Sequence, residues 1–130
     1  MNPGKFSFED LDIWKRAIEF ARVIIELTEV INTERKHYRL IEQLESAATS
    51  VALNIAEGSG RYSRKEFIRF LYIARGSLYE TITLLTIFEA NNWITEQQFL
   101  SIKDFSQGIA RMLSGLINSL KYPKIKPLNP

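Results

Sequence analysis

The sequence predicts an all-α protein, an antiparallel up-down-up-down four-helix bundle, and three observations carry that prediction. Apolar residues recur three and four positions apart through four separate segments, and no segment alternates with period two over any length. Three of the segments open on a Ser or Thr followed three positions later by an acid or glutamine, the signature of a capped helix start. The linkers, about residues 33–37, 58–62 and 92–94, are short enough to force consecutive helices to lie antiparallel.

The first helix is expected from Ser7 to about Asn32. Ser7-Phe8-Glu9-Asp10 starts it weakly, and Leu11, Trp14, Ile18, Ala21, Ile25 and Thr28 form its stripe. The second has no clean cap but carries Leu40, Ile41, Leu44, Ala47, Ala48, Val51, Ile55 and Ala56. Gly58 is expected to end it in a left-handed conformation. Near that end Asn54 and Glu57 stand out as a polar pair. A carboxylate at a helix C-terminus opposes the dipole, so Glu57 needs a partner, either Arg61 or the free N–H groups opening the next helix. The third helix opens on the capping box Ser63-Arg64-Lys65-Glu66, stapled by Tyr62 and Phe67. It runs through Leu71, Ala74, Leu78, Thr81, Ile82 and Leu85 to about Asn91-Asn92. The fourth repeats the design with Thr95 and Gln98 between Ile94 and Phe99. It continues through Ile102, Phe105, Ile109, Met112 or Leu113, Leu116 and Leu120 until Pro123 stops it. Residues 1–6 are then an N-terminal arm, 7–122 the bundle and 123–130 an extended tail.

With 130 residues, 45% apolar and 25% charged, the chain has the size and composition of one globular domain. The absence of cysteine excludes thiol nucleophiles, thiolate metal sites and redox dithiols. The single histidine, His37, leaves no second imidazole for a metal or a proton relay. It sits in the basic stretch Arg35 to Arg39, and a packing role is expected. Bundle di-iron sites need two Glu-x-x-His pairs, and Glu34 with His37 is the sole match. The serines have no neighbouring base. Gly58-Ser59-Gly60-Arg61 lacks the Gly-Lys-Ser/Thr ending of a phosphate loop and follows a helix, not a strand. No enzyme activity, metal or cofactor is expected. No stretch approaches the ~20 apolar residues of a membrane span and no secretory signal is visible, so a cytoplasmic protein without membrane contact is expected.

The third helix has more apolar surface than a bundle needs. Opposite its core stripe lie Ile68, Tyr72 and Tyr79 around Gly76, widened by Ile73 and Ile87. A helix apolar on two faces in so small a protein is expected to be covered by another chain. Gly76 would allow close backbone approach and the tyrosines would supply area with a polar tip. Ala48 and Ala52 of the second helix are expected to contribute to the same contact. Charge divides along the chain. Residues 1–57 hold seven positive and ten negative side chains, residues 58–130 ten and five, for a whole-chain net of only +2. Arg61, Arg64, Lys65, Arg69 and Arg75 form a basic strip interleaved with tyrosines, which suggests an alternative role as a contact for RNA or DNA.

The stretch Asn54-Ile-Ala-Glu-Gly58-Ser-Gly-Arg61-Tyr-Ser63-Arg-Lys-Glu66-Phe67, continued by Phe70-Leu71-Tyr-Ile-Ala74-Arg-Gly76-Ser77-Leu-Tyr-Glu80, resembles the core motif of a bacterial four-helix-bundle family. That family is first known from proteins encoded in intervening sequences of 23S rRNA genes. Trp14, Tyr38, Leu40, Gln43 and the pair Ala47-Ala48 fit it too, and the resemblance covers about Phe8 to Leu120. It implies a left-handed antiparallel bundle that assembles into a homopentameric ring. A related branch is the accessory variability protein of diversity-generating retroelements, basic pentamers that bind a reverse transcriptase and nucleic acid. The sequence departs from the pattern at Glu45, where a basic residue is common, and at Arg39, which replaces a usual glycine. The expectation is a non-enzymatic self-assembling scaffold whose first partner is itself. A partner protein, and the RNA- or DNA-binding accessory role, are the alternatives.

Overall fold

A computed structural model describes residues 4–31, 33 and 35–123. Its elements are a 3-10 turn at Ser7–Asp10 and four α-helices, α1 Asp12–Val30, α2 Tyr38–Ser59, α3 Arg64–Ala90 and α4 Glu96–Lys121, with no strand among the described residues. The expected tail beyond Pro123, and Asn32 and Glu34 of the first linker, lie outside the described residues.

The first helix begins later than its sequence signal suggests. Glu9 reaches back to accept the Phe6 N–H at 2.7 Å, which caps a short turn one residue before Ser7. Leu11 is then extended (φ −75°, ψ 121°), so α1 proper restarts at Asp12. The turn folds back as an aromatic cluster, Phe6 stacked on Phe8 at 5.6 Å and Phe8 tilted against Trp14 at 5.2 Å between ring centroids. The other two capped starts lie at the expected residues. The Ser63 hydroxyl accepts from the Glu66 N–H at 3.1 Å, although the Glu66 carboxylate turns to Arg69 instead of returning to the cap. At α4 the box is reciprocal, with Thr95 Oγ1 accepting from Gln98 N–H and Gln98 Oε1 from Thr95 N–H. Asn92, at φ 61°, takes the left-handed conformation that turns the chain after α3.

Gly58 does not end α2 in a left-handed conformation. It lies within the helix, buried, and α2 closes two residues on at Gly60 (φ −84°, ψ −4°). Its lack of a side chain serves packing: a Cβ there would stand 2.6 Å from the Phe70 Cβ and 3.0 Å from Phe67 Cδ1. The end of α2 therefore lies directly against the start of α3.

Cross-helix pairs fix the arrangement. Thr28 of α1 donates to Glu45 of α2, and Ser77 of α3 to Ser50 of α2. Tyr72 near the start of α3 meets Lys121 at the end of α4, and Phe20 of α1 stacks near Phe105 of α4. Late α1 meets early α2 and early α3 meets late α4, while α4 runs antiparallel to α1, with Arg16 near Gly108 at one end and Val30 beside Gln98 at the other. Each helix borders its chain neighbours and α4 closes on α1, with neither diagonal pair in backbone contact among the described residues. The core is filled by Phe20, Ile24, Leu44, Val51, Ile55, Leu71, Leu78, Leu85, Phe88, Ile109, Leu113 and Ile117. At one end, His37 stacks on Trp93 at 4.4 Å and its N–H donates to Thr33 Oγ1, tying the α1–α2 loop to the α3–α4 turn.

Overpacking at the α2–α3 approach is measurable. Gly58→Ala is expected to lower stability by about 1–3 kcal/mol despite the better helix propensity of alanine. Gly60→Ala, whose Cβ would make only ordinary contacts at 3.6 and 3.8 Å, is expected to leave the urea midpoint within experimental error or slightly raised.

Candidate functional site

The outward side of α3 is set by which of its residues the core takes. Phe70, Leu71, Ala74, Leu78, Thr81, Leu84, Leu85 and Phe88 turn inward. Their spacing leaves Tyr72, Gly76 and Tyr79 facing out, with Tyr72 37% and Tyr79 54% exposed and open space over Gly76. Ile68 is half-buried and packs against the core, so it forms the edge of this surface rather than its centre. Ile73 lies one turn before Ser77, which bonds to α2, so Ile73 sits on the α2 side of Gly76 while Tyr72 and Tyr79 sit on the α4 side. Tyr79 and Ile82 also wall a groove of about 310 Å³ between α3 and α4, closed on the other side by Lys103, Gln107 and Ala110.

Ala48 and Ala52 do not belong to this surface. They are 0% and 5% exposed, locked inside the protomer. Ala17 and Ala21 of α1 are buried as well, and Ala21 and Ala52 line one groove between α1 and α2. The small side chains are used within the protomer, and Ala48 has no area left for a partner.

The basic strip is largely engaged with its own chain. Arg61 and Arg69 both lie over the Phe70 ring, at 4.8 and 4.6 Å from its centroid. Each also holds a carboxylate, Arg61 that of Glu57 and Arg69 that of Glu66 at 2.9 Å. Glu57 thus takes Arg61 as its partner, one of the two the sequence offers. Arg75 lies 4.8 Å over the Tyr72 ring, and Lys121 approaches the same ring and donates to the Tyr72 hydroxyl. That hydrogen bond holds the Lys121 ammonium above the usual lysine range. Arg64 and Lys65 are exposed on the first turn of α3.

Asn54 does not meet Glu57. Its Nδ2 donates to the Ser50 carbonyl and to Ser50 Oγ, both at 2.8 Å, and Ser50 Oγ also accepts from Ser77 at 2.9 Å. This part-buried polar chain across the α2–α3 seam escaped the sequence reading. Serines at positions 50 and 77 look like surface residues until the two helices are aligned. Among the described residues no cluster of His, Cys, Asp and Glu could hold a metal ion, and no helix is long and apolar enough to cross a membrane.

The turn that joins α2 to α3 and the face that follows it lie within a longer match. Over residues 9–115 the sequence matches the family described as 23S rRNA-intervening sequence protein. The chain belongs to that family. It is also similar to the crystal structure of a Bacteroides thetaiotaomicron protein of unknown function from the S23 ribosomal protein family. The two share 30% identity with a TM-score of 0.76, over 81% of this chain and 97% of that one. No curated protein matches.

In this member of the 23S rRNA-intervening sequence protein family, Phe70 organises the turn by holding two guanidinium groups. Phe70→Leu keeps the Cβ that faces Gly58 but removes the ring. It is expected to cost about 1–2 kcal/mol, from two partly exposed cation–π contacts at about 0.5–1 kcal/mol each. An unchanged urea midpoint would show that Arg61 and Arg69 gain nothing from the ring.

Proposed function

We propose that the chain is a non-enzymatic building block that associates with copies of itself, as a homopentameric ring, and that the assembly acts as a scaffold. The observation that carries this reading is the outward face of α3. Two tyrosines lie seven residues apart on either side of an open glycine, on a helix whose opposite face already seals the core. Exposed aromatics with isoleucines beside them make a contiguous apolar patch of the kind that marks a protein contact. Gly76 contributes no favourable packing to the protomer and costs roughly 1 kcal/mol of helix propensity relative to alanine. Close approach by a second backbone accounts for it. The subunit number of five comes from the family resemblance.

Engagement of the strip favours scaffold over nucleic-acid contact. Three of the five basic side chains, Arg61, Arg69 and Arg75, are committed to rings or carboxylates of their own protomer. A phosphate-tracking surface would have to release them.

Multi-angle light scattering at micromolar concentration is expected to give five times the 15.1 kDa chain mass. Tyr72→Glu, placed beside Arg75 and Lys121, is expected to keep its helical circular dichroism and fall to the single-chain mass. A single-chain mass for the unmodified protein would overturn self-assembly. A Tyr72→Glu protein that assembles normally would overturn the role of this face.

A further inference from the structure

Away from the α3 face, two arginines are drawn together with no carboxylate between them. Arg16 of α1 and Arg111 of α4 reach toward each other across Gly108, a half-buried glycine inside α4. The point that a Gly108 Cβ would take lies 3.9 Å from a guanidinium nitrogen of Arg16 and 4.0 Å from one of Arg111. Among the described residues, no third side chain beyond the glycine's own chain neighbours comes within 4 Å of that point.

Like charges repel, so their approach needs a cause. Arg16 has Asp12 four residues back and Glu19 three ahead, both at the spacing of a helix ion pair. It bonds to neither. Arg22 takes both Glu19 oxygens, at 3.0 and 2.6 Å. The Arg16 guanidinium lies instead over the Phe105 ring of α4, 4.7 Å from its centroid. Phe105 is in turn stacked on the buried Phe20 at 6.0 Å, so the platform that aims Arg16 across the α1–α4 seam is fixed by the core. Arg111 follows Gly108 by three residues and shares its side of α4. Among the described residues neither arginine holds an ion pair.

We infer that Arg16, Gly108 and Arg111 form a binding site for the phosphate group of a small phosphate monoester. The two guanidinium groups carry two positive charges, and a monoester carries close to two negative ones at neutral pH. One charge-assisted hydrogen bond of ~2.8 Å from each arginine, with the width of a phosphate group between them, bridges two nitrogens that lie within 4.0 Å of a common point. A carboxylate is satisfied by a single guanidinium in a bidentate pair and leaves the second charge unanswered. Glycine is disfavoured inside a helix, and here its missing side chain keeps the floor of the gap open. The surroundings restrict the ligand further. Asp12 and Glu19 on α1 and Asp104 on α4 flank the pair, so a nucleic-acid strand laying successive phosphates along the seam would meet carboxylates. A small molecule bound by one terminal phosphate needs only the gap between the arginines. The site uses no residue of the α3 face and stands apart from the self-assembly reading.

Isothermal titration of the full chain with phenyl phosphate tests the site. Phosphate also strengthens folding by exclusion from the surface, so saturable binding and not a melting shift is the readout. The unmodified chain is expected to bind with a Kd on the order of 1 mM, as two hydrogen bonds between charged groups imply. Arg16→Gln and Arg111→Gln are each expected to weaken binding about tenfold. Gly108→Glu, which tethers a carboxylate between the arginines, is expected to abolish it. All three alter exposed or half-buried positions and are expected to keep their helical circular dichroism. Arg64→Gln, on the first turn of α3, is expected to bind like the unmodified chain. The absence of saturable binding to the unmodified chain overturns the site. A Gly108→Glu protein that binds unimpaired overturns it too, as does an equal loss in Arg64→Gln, which would move the phosphate to the basic strip. Acetate that binds as tightly as phenyl phosphate overturns the monoester assignment.

Discussion

Gly58 sets how closely α2 and α3 approach, and the rest of the structure follows from that approach. With a Cβ at this position only 2.6 Å from the Cβ of Phe70, any other residue would prise the two helices apart at the turn. Their closeness has two consequences. It brings Ser50 and Ser77 within hydrogen-bonding distance, so that Asn54, Ser50 and Ser77 form a polar chain along the seam. It also brings the Phe70 ring under Arg61, which reaches back to Glu57 and answers the carboxylate at the unfavourable end of α2. The turn is held by packing, a cation–π pair and an ion pair at once. A solvent-exposed ion pair alone contributes little, so the close glycine approach carries most of the constraint.

Because this turn joins the α1–α2 pair to the α3–α4 pair, it also fixes their relation. Each pair leaves apolar side chains exposed, Ile18 and Leu53 in the first and Tyr72 and Tyr79 in the second. Several small residues that could have served a partner are buried within the protomer, Ala17, Ala21, Ala48 and Ala52 among them. Gly76 of α3 and Gly115 of α4 remain open, with nothing within 4 Å of the place a Cβ would take.

Much of the fold was legible because helix starts and apolar periodicity are local signals. Ser63 and Thr95 cap the helices they were expected to cap, and the stripes of α2, α3 and α4 turn inward as their spacing indicates, whereas the core takes Ile13, Ala17, Phe20, Ile24 and Leu27 of α1 and leaves Ile18 and Ile25 of the expected stripe exposed. Misreadings arose where a local signal competes with a tertiary one. Ser7 carries an N-terminal signature, yet Glu9 selects Phe6, one residue earlier, and the aromatic cluster of Phe6, Phe8 and Trp14 favours a turn before the helix. Gly58 has the sequence context of a C-cap. Its actual role, clearance for Phe70, depends on a residue twelve positions away and on the crossing of two helices. Ala48 and Ala52 illustrate the same limit: small residues suit any close contact, and only the packed bundle shows which contact uses them. The outward row on α3 could be seen from spacing. The row on α1 and α2 was hidden, because Ile18 reads as part of a core stripe until the core is counted out.

The central claim, that the outward face of α3 is covered by another copy of the chain, is tested most directly by placing a reporter on it. The chain contains no cysteine, so a single introduced thiol can be labelled alone. An environment-sensitive dye on Tyr79→Cys should report apolar surroundings at micromolar concentration and solvated ones once dilution gives the single chain. A dye that stays solvated while the protein is assembled would contradict the account.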